Sequence, residues 1–121
     1  MRYVMLIASD ENAGANLPGA ERDAAMAQVY AWFDKWGAAG KIADGGAELQ
    51  HTRTAKTVRG GESGPTVTDG PFIETKEVLG GVVMLECDTI DEAVHVASTW
   101  PGLTYPYVAV EVRPTVDHSG L

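Results

Sequence analysis

Three short segments can form strands that are apolar on both faces, and they constrain the fold more than any other feature of the sequence. They lie at residues 2–8, 82–87 and 107–113. In the first segment both alternating sets are apolar, with Tyr3, Met5 and Ile7 on one face and Val4, Leu6 and Ala8 on the other. Successive side chains of a strand point to opposite faces. A sheet built from these segments therefore needs cover on both faces.

Two segments between these strands are predicted to be helices. Residues 20–39 predict the first, because apolar residues recur there at three- and four-residue spacing, and Trp32 lies off their stripe. The stripe consists of Met26, Val29, Tyr30, Phe33, Trp36 and Gly37. The second helix begins after a capping box at residues 89–92 and ends at Pro101. Its predicted buried face consists of Ile90, Ala93, Val94 and Ala97.

The remaining segments predict one loop and one β-hairpin. Residues 12–19 contain Gly, Asn and Pro, which favour a loop. Residues 47–59 predict a strand with a bend near Thr52, residues 60–65 a turn, and residues 66–68 a short returning strand. The hairpin is therefore an insertion before the apolar strand at residues 82–87.

The order of elements is β-α-β-(hairpin)-β-α-β, which predicts an α+β, ferredoxin-like split βαβ fold with an inserted β-hairpin. The two helices of that layout cover one face of an antiparallel sheet, and the exposed face normally carries polar residues. Here that face is apolar, and a second copy related by twofold symmetry is its simplest cover. We therefore expect a homodimer that pairs through its sheet faces as a dimeric α+β barrel. Trp32 and Tyr107 are weaker candidates for the interface.

The bulk composition limits the classes of function. A chain of 121 residues is one domain by length, predicted over residues 1–114 with a flexible tail over residues 115–121. Its 17 acidic residues against 9 Lys and Arg give a net charge of −8, which argues against nucleic acid and anionic membranes as partners. The N-terminal apolar run is too short for a signal peptide, and Cys87, the only cysteine, lies in an apolar strand that predicts its burial. We expect a cytoplasmic protein.

Residues 69–77 concentrate the polar side chains that chemistry requires. The Gly-Pro pair within this segment suits a turn. Asp69 is a candidate base or hydrogen-bond acceptor, and Lys76 is a candidate base, nucleophile or anion ligand if it is partly desolvated. The candidate ligand-binding set is completed by Glu74 and Thr75. A structural role, in which these residues hold the segment on the sheet, explains them equally well.

The three histidines are scattered along the chain. His51 ends a predicted strand at a loop and is a further candidate for ligand binding, whereas His95 falls on the polar face of the second helix and His118 lies in the tail. No pair of them has metal-ligand spacing, and the sequence contains no phosphate loop or dinucleotide fingerprint. We therefore expect neither a metal nor a cofactor.

Residues 67–81, with the sequence VTDGPFIETKEVLGG, closely resemble the signature of the YCII-related superfamily, specifically its DGPF-type branch. Residues 57–59, 88, 91–93 and 110–114 extend the resemblance over most of the chain. It implies a dimeric α+β barrel of ferredoxin-like subunits and no settled activity. The superfamily is associated with a histidine early in the first helix and an aspartate after the second. Here residues 20–39 contain no histidine, and Trp100 precedes Pro101.

Three functions are compatible with the sequence. The first is a small cofactor-free enzyme that acts on a polar metabolite in a cleft at the barrel mouth, through Asp69 and Lys76. The second is a non-catalytic module that binds a small polar or anionic ligand, or a regulatory partner. The third is haem or metal binding, which the positions of the histidines disfavour.

Overall fold

The computed structural model describes residues 1–15 and 17–119, which form a four-stranded antiparallel sheet, three helices and a separate two-stranded hairpin. The strands are β1 (Arg2–Asp10), β2 (Ile42–Glu48), β3 (Lys56–Arg59), β4 (Thr66–Asp69), β5 (Glu77–Glu86) and β6 (Val108–Pro114). The helices are α1 (Glu11–Gly14), α2 (Gly19–Ala38) and α3 (Ile90–Ser98), with 3-10 turns at Thr52–Thr54 and Pro101–Thr104.

The main sheet has the strand order β2-β5-β1-β6, and every neighbouring pair is antiparallel. Leu6 on β1 is opposite Val82 on β5 and Glu111 on β6, so these three side chains lie on the same face. The hairpin forms its own sheet of β3 and β4. The predicted α+β class is confirmed, and the sheet of a single chain is open rather than closed into a barrel.

The hydrophobic core lies between the helices and one face of the main sheet. Met5, Leu85 and Val96 are its largest fully buried side chains. The other buried residues are Tyr3, Trp32, Val83, Cys87, Ala93 and Ala97. Each fully buried apolar side chain of this size contributes about 1.5–3 kcal/mol. The alternation predicted for the first strand is confirmed, because Tyr3 and Met5 belong to the buried set, and so is the burial of Cys87.

The predicted apolar stripe of the first helix is right at four positions and wrong at its flank. Its partly buried members are Met26, Val29, Phe33 and Trp36, whereas Tyr30 and Gly37 are exposed. Trp32 is 4% exposed, whereas Tyr30 is 64% exposed. The Trp32 ring packs edge-on against Phe33 and Trp100, each at 5.0 Å between ring centroids. Its indole N–H donates to Thr99 Oγ1 at 2.9 Å. Trp32 is thus a core residue, and its burial contradicts its candidacy for the dimer interface.

The second helix begins as predicted, but its buried face is shifted. The Thr89 hydroxyl accepts from the Glu92 N–H at 3.1 Å, which confirms the cap, and Glu92 in turn accepts from the Asp88 N–H at 3.3 Å. Ala93 and Ala97 are buried as expected. Two residues of the predicted face are exposed instead, Ile90 and Val94, and Val96 takes the central core position.

Several of the predicted boundaries are wrong. The strand predicted at residues 82–87 begins earlier, at Glu77. The loop predicted at residues 12–19 begins with the end of the short helix α1. The Asp10 side chain caps this helix by accepting from the Asn12 and Ala13 N–H groups. Asn16 lies outside the described residues. The strand predicted at residues 47–59 is two strands separated by the turn at Thr52–Thr54. The first of them starts at Ile42 and contains an irregular register.

The sheet face opposite the helices carries a compact apolar patch. Val4 is opposite Met84, and Leu6 is opposite Val82, so the four side chains lie side by side on the two central strands. All four are partly exposed. We call this set the open-face patch. In the described part of the chain, no helix is long and apolar enough to cross a lipid bilayer.

Candidate functional site

The turn after β4 is fastened to the hairpin by backbone contacts. Gly70 has φ +93°, a conformation that suits glycine. Its N–H donates to the Ala55 carbonyl oxygen at 2.8 Å, and its own carbonyl oxygen accepts from Thr57 Oγ1 at 2.7 Å. The segment that begins at Asp69 is therefore held against β3 at its first residues.

Asp69 forms an ion pair within the hairpin. Lys56 Nζ lies 2.5 Å from Asp69 Oδ1, and the two side chains are 69% and 87% exposed, respectively. Solvent-exposed pairs contribute little to stability. Asp69 is thus a solvent-accessible acceptor that is paired with Lys56. Asp69 and Lys76 form no direct contact within the described residues.

The segment between Asp69 and β5 is irregular and exposed. Thr75 Oγ1 donates to the Glu77 carbonyl oxygen at 2.5 Å, so this hydroxyl serves a local turn. Glu74 and Lys76 are exposed, and neither joins an ion pair among the residues that the structure describes. Phe72 is 67% exposed and Ile73 55%. The segment therefore presents both charged and apolar side chains to its surroundings.

A cleft of about 550 Å³ runs along β3. It is lined by Lys56, Thr57, Val58, Arg59, Gly60 and Phe72. One terminal nitrogen of the Arg59 guanidinium donates to the Phe72 carbonyl oxygen at 2.6 Å, which ties the two walls together. Two of the lining residues are cations and none is acidic. The chain has a net charge of −8, whereas this open hairpin cleft is bordered by Arg59 and by Lys56, the latter paired with Asp69.

A second polar cluster forms where β1 ends. The Glu11 carboxylate accepts from Thr52 Oγ1 at 2.6 Å through one oxygen and from the Thr52 N–H at 2.8 Å through the other. His51 Nε2 lies 3.6 Å from Glu11 Oε1. The last pair of the β1–β5 ladder joins Asp10 and Glu77. Glu11 and Lys76 are the next residues beyond this pair. The cluster of Glu11, His51 and Thr52 therefore lies near the end of the 69–77 segment.

The environment of Glu11 keeps its carboxylate ionised. Partial burial raises the pKa of Glu11, but the hydroxyl and amide of Thr52 and the neighbouring His51 and Arg53 outweigh it, so the pKa is lowered overall. The His51 Nδ1 accepts from the Arg53 N–H at 3.0 Å. A neutral imidazole that accepts at Nδ1 carries its proton on Nε2, which here faces Glu11. Glu11 is therefore an anionic acceptor that Thr52 orients, and His51 lies beside it.

Sequence patterns identified part of this arrangement. His51 was singled out, but its partners Glu11 and Thr52 were not, because Glu11 and Thr52 are 41 positions apart. Lys56 and Arg59 were also missed as site residues. The alternation of β3 places Lys56 on one face and Arg59 on the other, so the sequence pattern gives no signal that both border one cleft.

The other histidines contribute no metal site. His95 packs edge-on against Trp36, with ring centroids 5.9 Å apart, and His118 is exposed. Within residues 1–15 and 17–119, no group of three or more His, Cys, Asp or Glu side chains is arranged to hold a metal ion.

A family model described as the YCII-related domain matches residues 1–115. The chain belongs to the YCII-related family. The matched region of this YCII-related protein contains all six strands, the hairpin cleft and the Glu11 cluster. The chain is also similar to an uncharacterised protein of Rhizobium meliloti (strain 1021), with 33% identity over 114 residues that cover 94% of this chain and 91% of the relative.

Proposed function

We propose that this YCII-related protein binds a small anionic metabolite in the hairpin cleft. The observation that carries the proposal is the cationic lining of a 550 Å³ cavity in a chain whose net charge is −8. That volume suits a small metabolite, since ligand pockets typically span about 300–1,000 Å³. The Arg59 guanidinium, beside the Thr57 hydroxyl on the same face of β3, favours a carboxylate or a phosphate, and Lys56 borders the cleft from the other face.

The donors at this wall are only partly used within the chain. The Arg59 guanidinium has five N–H donors, and its hydrogen bond to the Phe72 carbonyl oxygen uses one of them. The Lys56 ammonium has three donors and gives one to Asp69. The exposed ring of Phe72 adds an apolar wall. Asp69 supplies an acceptor beside Lys56, so a ligand with both an anionic group and a hydroxyl or amine fits best.

Ligand binding is tested by thermal-shift screening with carboxylate and phosphate metabolites. We expect stabilisation of the wild type that weakens in Lys56→Gln and Arg59→Gln, because each variant removes a cation from the wall. Arg113→Gln is the matched control, since it removes an exposed cation on β6. Equal stabilisation of all four proteins, or of none, would refute the hairpin cleft as the site.

The Glu11–His51 pair favours a second candidate function, a cofactor-free reaction on the bound metabolite. A carboxylate beside an imidazole is a common element of acid–base sites, and here His51 Nε2 lies 3.6 Å from Glu11 Oε1. The 69–77 segment adds the exposed Lys76 at its end and Asp69 at its start, where Asp69 pairs with Lys56 of the cleft. Turnover of a metabolite panel by wild type is expected to fall in Glu11→Gln, Lys76→Ala and Asp69→Asn. If those variants keep full turnover, the reaction does not use this set.

We also propose that two copies pair through their open-face patches. The order β2-β5-β1-β6 with two crossing helices supports the ferredoxin-like, split βαβ layout, and two such sheets stacked face to face would form a dimeric α+β barrel. Partly exposed apolar side chains at the centre of a sheet support such a partner. The Asp-Gly-Pro-Phe sequence at residues 69–72 supports membership of the DGPF-type branch.

Light scattering tests the dimer. We expect a mass twice the chain mass of 12.8 kDa. Leu6→Lys should lower it toward the single-chain mass, because a charge would be buried at the centre of the interface. Val116→Lys is the control, since Val116 is 74% exposed and lies outside the main sheet. A single-chain mass for the wild type at micromolar concentration would contradict the proposal.

A further inference from the structure

A second cavity lies on the helical side of the molecule. It has a volume of about 320 Å³ and is bounded by the N-terminal half of α2 and by the 3-10 turn at Pro101–Thr104. The residues of α2 that line it are Glu21, Ala24, Ala25, Gln28 and Val29. The open-face patch lies on the opposite side of the sheet, so a dimer paired through that patch would leave this helical cavity open.

The aromatic walls of the helical cavity are fixed by packing. Trp100 is held edge-on by Trp32 at 5.0 Å and by Phe33 at 6.0 Å between ring centroids. Tyr105 stacks on Tyr107 at 5.2 Å with an interplanar angle of 25°. Rings anchored in this way keep their positions when a ligand enters, so little ordering free energy is lost on binding.

A glycine and two alanines leave room for a ligand between these walls. A Cβ atom at Gly102 would lie 2.9 Å from Trp100 Nε1 and 3.6 Å from Val108 Cγ1. Gly102 therefore lets the turn approach the indole closely. Ala24 and Ala25 on the facing helix keep the space open, since any larger side chain at either position would project toward the turn.

The charge of the helical cavity is negative. Glu21 is an acidic residue in the first turn of α2, where the helix dipole favours a carboxylate. Its Oε1 accepts from the Tyr105 hydroxyl at 3.2 Å. Desolvation, followed by this hydrogen bond, raises the pKa of Tyr105, so the hydroxyl stays a donor. A carboxylate accepts through two oxygens, and no lysine or arginine lines the cavity.

We infer that the helical cavity binds a small organic cation, a primary or substituted ammonium group carried on an apolar body. The Glu21 carboxylate would accept the ammonium N–H groups, while the rings of Trp100 and Tyr105 would hold the apolar body and attract the charge through their electron-rich faces. This site has the opposite charge preference to the hairpin cleft, and it does not depend on the function proposed for that cleft.

The test uses benzylammonium chloride as the probe and benzyl alcohol as its neutral counterpart. Binding is followed by nuclear magnetic resonance of the indole N–H groups, with the Trp100 signal assigned from Trp100→Phe. We expect a saturable shift of the Trp100 signal with benzylammonium, and affinity at least about tenfold weaker for benzyl alcohol, as the loss of a charge-assisted contact implies.

Three variants make the test specific. Glu21→Gln keeps an acceptor for Tyr105 but removes the charge, and it should abolish the preference for the cation. Asp23→Asn removes a carboxylate from the same helix that does not line the cavity, and it should leave the preference unchanged. Ala25→Leu should fill the space and weaken both probes.

Several results would overturn the inference. The first is the absence of a saturable Trp100 shift up to about 10 mM probe, a concentration at which only very weak sites stay empty. The second is equal affinity for the two probes. The third is an unchanged cation preference in Glu21→Gln. A shift confined to the signals of Trp32 and Trp36 would equally refute it, because it would move the binding elsewhere.

Discussion

Replacement of Thr52 by valine should loosen the connection between the first strand and the turn at Thr52–Thr54. The change removes the hydroxyl that donates to Glu11 Oε1 at 2.6 Å and preserves the shape of the side chain. The backbone N–H of residue 52 still donates to the other carboxylate oxygen. Hydrogen bonds to charged groups contribute roughly 1.5–3 kcal/mol. The Glu11 side chain is 20% exposed, so we expect the lower part of that range, about 1.5–2 kcal/mol.

Urea denaturation measures this loss. With a urea dependence of about 1–3 kcal/mol/M, typical of small proteins, a loss of this size lowers the midpoint by roughly 0.5–2 M. Thr52→Ser is the matched control, because it keeps the hydroxyl. It should retain most of the wild-type midpoint.

The effect should also depend on pH in a defined direction. The pKa of Glu11 is lowered in the folded state, so the carboxylate contributes stability above its unfolded pKa and loses that contribution as the pH falls through its folded pKa. The difference between wild type and Thr52→Val should be full near pH 7 and shrink below about pH 4.5. A difference that is absent at neutral pH, or that does not change with pH, would refute the role assigned to the Glu11 carboxylate.

The remaining predictions concern two positions that hold the sheet and the helices together. Gly46 has φ +66°, and a Cβ atom there would collide with a carbonyl oxygen of β5, so Gly46→Ala should destabilise by more than about 3 kcal/mol. Circular dichroism melting tests this against Gly45→Ala, which should change little because its nearest neighbour is 3.9 Å away. Thr99 Oγ1 accepts from the indole N–H groups of Trp32 and Trp36, each at 2.9 Å, so Thr99→Val should cost about 2 kcal/mol in urea denaturation. Thr99→Ser should restore most of that loss, and equal midpoints for the two variants would contradict the shared acceptor.

The strands of the core could be predicted from the sequence because their signal is local. Short runs that are apolar on both faces indicate β1, β5 and β6, and the second apolar face of β1 and β5 forms the open-face patch. The start of β2 could not be predicted in this way. Asp44, Gly45 and Gly46 are typical of a turn, but here they form an irregular stretch of the strand, with Gly46 allowing close approach to β5.

The buried side of α2 depends on contacts that no local pattern contains. Trp32 is buried because Trp100 and Thr99 meet it, and Thr99 is 67 positions away. Alanines on several sides of the helix give its periodicity little contrast. The spacing of apolar residues alone therefore does not decide whether Tyr30 or Trp32 is the buried one.

The candidate site was likewise only partly visible. The segment at residues 69–77 was identified from its composition, whereas the cations that line the cleft beside it belong to β3. Glu11 follows the first strand and acquires its role only when the turn at Thr52–Thr54 folds onto it. A polar site assembled from distant segments can be predicted only with the tertiary fold in hand, since in the sequence each of its residues is typical of an ordinary surface side chain.

The measurement that tests the central proposal most directly is an amide chemical-shift titration with succinate, using neutral succinamide as the comparison. Binding in the hairpin cleft predicts saturable shifts of the Thr57, Arg59 and Phe72 amides with succinate alone, lost in Arg59→Gln and kept in Arg113→Gln. Unsaturated shifts up to about 10 mM succinate, or the same shifts with succinamide, would contradict it.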